Sequence, residues 1–179
     1  SHRVVLLEAE ESAGYHTTGR SAAIWIRNYG PADVRALTVA SRPFFEAPPA
    51  GFAPGPIFAQ RAVVTLAPAG QRDALQAMLD AGEGLEPIAV EEVAAMVPAL
   101  RRDYPVAAAI ERDAFDMDVA GLHQGFLQSL RRAGGVIALR HKAGRITRRG
   151  GAWQAEISSG TVFTAVSYTH LTLPTNREV

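Results

Sequence analysis

The chain contains no cysteine among its 179 residues. That excludes disulfides, thiolate metal sites and cysteine nucleophiles, and it permits a reducing compartment. Neither sign of charge is in excess, because 18 Lys and Arg balance 18 Asp and Glu. A domain-wide basic field, the usual footprint of nucleic-acid or membrane-surface binding, is therefore missing. No apolar run approaches the roughly 20 residues that span a bilayer, and the first residues show no basic-then-apolar leader pattern. The histidines lack the spacing of a metal site. The expectation is a soluble, cytoplasmic chain with no metal, no nucleic-acid partner and no integral membrane segment.

What is present begins with an apolar run at residues 4–7, β-branched at its start and closed by Glu8. This is the pattern of a strand buried on both faces in a parallel sheet. A Gly-containing loop follows, then small residues that read as the opening of a helix. From Pro31 the apolar spacing turns helical, with Val34, Leu37, Ser41, Phe44 and Phe45 on one side and Asp33 in the first turn. Pro43 is expected to kink or shorten that helix. Residues 47–56 (APPAGFAPGP) read as a rigid turn region, and residues 57–67 as one or two strands of a separate sheet. Residues 71–81 and 90–97 are short helical segments, the second stopped by Pro98.

The clearest helical pattern follows Asp116 and Asp118, either of which can cap it. Val119, Leu122, Phe126, Leu127 and Leu130 recur at helical spacing until Gly134 and Gly135. The two aspartates, two residues apart, point differently and read as caps rather than as an acid/base pair. Residues 135–140, 145–149 and 152–158 read as strands, the last two joined as a hairpin by Gly150-Gly151. Residues 166–179 (VSYTHLTLPTNREV) contain no Ala or Gly, unlike the chain before them. Their possible codons match a translated sequencing adapter, and they are set aside from the fold reading as an artefact.

One segment concentrates chemistry. Residues 14–23 (GYHTTGRSAA) bring hydroxyls at Thr17, Thr18 and Ser21, a cation at Arg20, and small residues at Gly19, Ala22 and Ala23. Hydroxyls in such a loop serve either its own turns or a ligand laid against the backbone. An acidic residue ending a strand, as Glu8 does, is the usual acceptor for ribose hydroxyls in a dinucleotide fold. Together with "NYG" at 28–30, "VRALTVASRPFF" at 34–45, "PPAGF" at 48–52, "VPALRRD" at 97–103 and "DMDVAGLHQGFLQSLRRAGG" at 116–135, these motifs resemble the FAD-dependent D-amino-acid oxidase and dehydrogenase superfamily. The similarity is greatest to its D-arginine dehydrogenase-like branch and runs from residue 3 to about residue 165.

The resemblance implies an α/β fold, a partial Rossmann-like FAD-binding domain with an inserted mixed α+β substrate domain. The implied division is 1–30 for the first FAD-domain segment, 31–115 for the substrate-domain segment and 116–165 for the second FAD-domain segment. FAD is the implied cofactor. Glu8 would hold the adenosine ribose with Ala9 beside it, Thr17, Thr18, Gly19, Arg20, Ser21, Ala22 and Ala23 would line pyrophosphate and flavin with Ile24 next along, and Ala143 would meet adenine through its backbone. Tyr29 matches an active-site tyrosine on the substrate side.

Val63 departs from the family pattern, because the D-arginine-type enzymes place an acid in the corresponding slot, which points to a less basic substrate. The implied reaction is oxidation of an amino acid, a D-amino acid first, to its imine, with oxygen or a quinone as acceptor. A 2-hydroxy-acid or sarcosine-type flavoenzyme and a non-catalytic flavoprotein subunit are the alternatives. The Gly-rich pyrophosphate turn and the later family segments are expected to lie outside this chain, which by itself is expected to be inactive.

Overall fold

A computed structural model describes residues 3–21, 23–101 and 103–169. In chain order its elements are β1 (Val5–Leu7), β2 (Ala23–Trp25), α1 (Ala32–Glu46), β3 (Phe58–Ala67), α2 (Arg72–Ala81), β4 (Leu85–Ile88) and α3 (Val90–Met96). They continue with β5 (Ala107–Met117), α4 (Val119–Arg132), β6 (Val136–Ala138), β7 (Ala143–Arg149), β8 (Ala152–Ile157) and β9 (Val162–Ala165). The chain divides into two compact units, Ser1–Thr17 with Leu127–Val179, and Thr18–Phe126. Parallel and antiparallel sheets occur together, so the fold is mixed α/β.

In the first unit β1 lies parallel to β6, Leu6 opposite Ile137, and β7, β8 and β9 form an antiparallel meander. The expected burial of β1 on both faces is not met, since Val5 is 45% exposed. Among the described residues β6 is its one strand neighbour, and Leu6 and Leu7 are half-buried. Gly150 and Gly151, at φ +58° and +80°, supply the two left-handed positions that a tight hairpin between β7 and β8 demands. Where α4 ends, Gly134 N–H bonds the Arg131 carbonyl and Gly135 N–H the Leu130 carbonyl, both at 2.9 Å. This paired closure satisfies carbonyls that the helix leaves open.

The second unit is organised by β5. Along one edge it pairs with β3 over nearly its whole length, and along the other with β2 at residues 115–117 and β4 at residues 108–111. Successive side chains of a strand face opposite sides, so Ala109 packs with Leu75 of α2 and with Ala67 and Leu85. Ala108 and Ile110 pack instead with Val93 of α3 and with Ile88. The alanine-rich run at 107–109 is a poor strand former by propensity, and its strand state comes from β3 and β4 beside it and from the two helices packed on its faces.

Local expectations fail at the Thr18–Arg20 turn and at Leu37, and Pro43 leaves its helix running on. The small residues after the loop do not open a helix; a single tight turn at Thr18–Arg20 leads into β2, whose Trp25 is 3% exposed and donates its Nε1–H to the Thr38 carbonyl at 2.9 Å. Pro43 does not end α1, which continues to Glu46. Phe44 and Phe45 in that last turn are held by ring contacts with Phe52, Phe126 and Phe58, which outweigh the one backbone bond that proline removes. Leu37, expected on the inner face of the same helix, is 73% exposed.

Asp118 rather than Asp116 caps α4, accepting the Gly121 N–H on Oδ1 at 2.8 Å. Inside α4, a methyl at Gly125 would overlap the Phe52 ring. Gly125→Ala is therefore expected to lower stability by about 1–3 kcal/mol in spite of its better helix propensity. Urea unfolding checks this; a gain in stability would show that the ring yields freely.

Candidate functional site

In the first unit, Glu8 stands at the C-terminal end of β1, half-buried. Its N–H donates to the Ala138 carbonyl at 2.9 Å, and its own carbonyl accepts the His141 N–H at 2.7 Å. The carboxylate is aimed by a local bond in which Oε1 accepts the Glu10 N–H at 3.1 Å. Among the described residues Oε2 accepts no hydrogen bond. Ala9 is exposed beside it. Ala143, also exposed, begins β7 two residues after the His141 that bonds Glu8, so the structure places Glu8, Ala9 and Ala143 in one neighbourhood. His16 is paired with Glu10 at 2.8 Å on the surface. Thr17 is the last residue of this unit's first segment.

In the second unit, Thr18, Gly19 and Arg20 form the tight turn, and Ser21 N–H bonds back to the Thr18 carbonyl at 3.4 Å. Ala22 lies outside the described residues. Ala23 and Ile24 then pair with Met117 and Asp116. Ser21, Ala23 and Ile24 line an open cavity of about 350 Å3 together with Arg61, residues 116–118 and the start of α4. Arg61 reaches Asp116 there with one nitrogen at 2.7 and 3.0 Å from the two carboxylate oxygens.

Tyr29 is 73% exposed on the turn before α1. Val63, on β3, is half-buried and stands opposite Glu111 of β5. Sequence reading did not single out Glu111, although a carboxylate directly after the apolar run AAAI at 107–110 is the signal that marks it. It is 2% exposed, the one buried charged residue among the described residues, and it accepts hydrogen bonds from Arg27 and Asn28.

The other acids of β5 are also partnered. Asp113 takes Arg42 and Arg27, and Asp116 takes Arg61. The hydrogen bond from Arg42, then that from Arg27, holds the Asp113 carboxyl below its ordinary range against the opposing effect of desolvation. Among the described residues there is no cluster of metal-ligating side chains, and no helix is long and apolar enough to cross a membrane.

The model of a family described as DAO, FAD dependent oxidoreductase, matches residues 1–171. The chain belongs to this family. Among solved structures, this DAO-family chain is similar to glycine oxidase from Geobacillus kaustophilus, at a TM-score of 0.78 and 17% identity, over 93% of this chain and 47% of that one. L-amino acid deaminase from Proteus myxofaciens matches at 0.67 and 18% identity, over 88% of this chain and 37% of that one. FAD-bound L-alpha-glycerophosphate oxidase from Mycoplasma pneumoniae matches at 0.73 and 10% identity, over 88% of this chain and 44% of that one. The DAO-family chain thus spans less than half the length of each. FAD is the family's cofactor, and each unit by itself carries groups whose chemistry fits a part of it: in the first a strand-end carboxylate that can accept a hydroxyl, in the second a turn bearing hydroxyls and small residues.

Proposed function

We propose that this chain is the cofactor-holding and substrate-facing part of an FAD enzyme that oxidises the amine of an amino acid, a D-amino acid first, to its imine. The family match over residues 1–171 carries the reading, and Glu8 at the end of a parallel strand supports it locally. Bound FAD supplies the acceptor for the hydride that leaves the substrate Cα. Glu8 accepts hydroxyls of the adenosine ribose, Ala9 keeps that approach clear, and the Ala143 backbone meets adenine. Thr17, Thr18, Arg20 and Ser21 offer polar groups to pyrophosphate and ring, while Gly19, Ala22, Ala23 and Ile24 let the ring lie close to the backbone. Tyr29 presents its hydroxyl to the substrate.

Side-chain preference follows from β5 and Val63. Glu111, Asp113 and Asp116 already carry donors or cations, and Val63 offers an apolar surface. A cationic substrate side chain placed there would lose water without gaining a carboxylate. Among amino acids tested on the flavin-loaded enzyme, neutral D-amino acids are therefore expected to exceed D-Arg and D-Lys in kcat/KM by about tenfold or more. The panel also holds glycine, sarcosine, L-amino acids, 2-hydroxy acids and glycerol phosphate, with anaerobic loss of flavin absorbance as the readout. Turnover of the hydroxy compounds alone would replace the amine reading with alcohol oxidation, and no turnover at all would leave a non-catalytic flavoprotein subunit. Repeating the assay with oxygen or a quinone identifies the acceptor.

A further inference from the structure

A carboxylate in a protein interior is costly unless every acceptor site it buries is used. Glu111 meets that condition in a directional way: Oε1 accepts the Arg27 backbone N–H at 2.7 Å, and Oε2 accepts Asn28 Nδ2 at 2.8 Å. Glu83 fixes which way the Asn28 amide faces, because Asn28 Oδ1 accepts the Glu83 N–H and Asn28 Nδ2 also donates to the Glu83 carbonyl, each at 3.0 Å. The Arg27 guanidinium is tethered as well, to Glu83 and Asp113 at 3.4 Å. Two consecutive residues are thus pinned to β5 and to the segment before β4. Gly30 follows, at φ +86°, and then Pro31 at the start of α1. Tyr29 lies between the pinned pair and this turn, directly after the Asn28 that Glu111 and Glu83 hold, with its side chain 73% exposed.

We propose that Glu111 is a positioning residue, a buried double acceptor that sets the direction in which Tyr29 is presented to the substrate. Only a group accepting on both oxygens satisfies this arrangement. A glutamine would turn an N–H toward either the Arg27 N–H or Asn28 Nδ2, and the Glu83 contacts prevent the Asn28 amide from flipping to compensate. The proposal rests on the reading of Tyr29 as a substrate-side residue.

A double-mutant cycle on the flavin-loaded enzyme, made from Glu111→Gln and Tyr29→Ala, separates the two. Each single variant is expected to lower kcat/KM by about tenfold through misplacement of the substrate-side group. The double variant is expected to lose no more than Tyr29→Ala alone. Hydrogen exchange of the peptide covering residues 26–31 should accelerate in Glu111→Gln with flavin content unchanged, which reports the loosened turn without reference to activity. Additive losses would overturn the positioning role while leaving Tyr29 as a substrate contact. An active Tyr29→Ala would overturn both. Should Glu111→Gln fail to fold, Asn28→Ala removes one of the two donors from the protein's edge and enters the same cycle with the same expected outcomes.

Discussion

Replacing Glu8 by Ala is expected to weaken FAD binding by about 10- to 100-fold, the loss of one or two hydrogen bonds to a charged acceptor. The expectation follows from how little else Glu8 does. Its backbone is tied to Ala138 and His141, and those bonds survive truncation of the side chain. The carboxylate makes one local bond, to the Glu10 N–H, which water can replace. The fold should therefore persist while the hydroxyl acceptor disappears. Glu8→Gln keeps one acceptor oxygen and should fall between the two. Titration of the apoenzyme with FAD, followed by flavin fluorescence, measures both. If Glu8→Ala binds FAD as tightly as the parent protein, the ribose assignment fails, and the carboxylate is only the end of a strand.

Arg42→Ala is expected to lower stability by about 2–3 kcal/mol, most of it from lost packing rather than lost charge. The guanidinium of Arg42 lies over Phe115 at 4.9 Å and over Trp25 at 5.4 Å, with its side chain 24% exposed. It also donates to Asp113, and to Glu46 at 2.6 Å, and these bonds raise its own pKa further above the range in which it could lose its proton. Asp113 is 41% exposed, so solvent screens the ionic share of the interaction.

The sign with pH is set by Asp113. Its folded pKa is depressed, so its contribution is fully present above the ordinary carboxylate value and is lost as pH falls through the folded one. The gap in stability between parent and Arg42→Ala should therefore narrow below about pH 4 without closing. Arg42→Lys restores the charge but not the planar stack, and should recover less than half of the loss. Urea unfolding at neutral and acid pH tests this; full recovery by lysine would assign the effect to charge alone.

Several elements were legible before any coordinates because their signals are local. Glu8 ends its strand where the apolar run stops, Gly150-Gly151 turns the hairpin, Asp118 caps α4, and residues 72–81 and 90–96 are helical at the expected positions. The resemblance that led to the FAD-dependent family came from motifs read in order along the chain, and the family match over residues 1–171 agrees with it.

Other features depend on partners far away in sequence. Ala23–Trp25 became a strand because β5 lies beside it, and the alanine-rich β5 itself went unread because three strands and two helices, not its own propensity, hold it extended. Leu37 faces outward, whereas the polar Arg42 of the same helix turns inward to Asp113 and two aromatic rings. Glu111 gains its meaning from Arg27 and Asn28, 84 and 83 residues earlier. Sequence by itself determined the hairpin turn at Gly150-Gly151, the cap of α4 and the polar, small-residue make-up of residues 14–23, since each depends on residues within a few positions of one another. Tertiary structure alone decided which acid is buried and which are already paired with a cation, because that depends on which strands meet, and propensity and periodicity carry no record of the meeting.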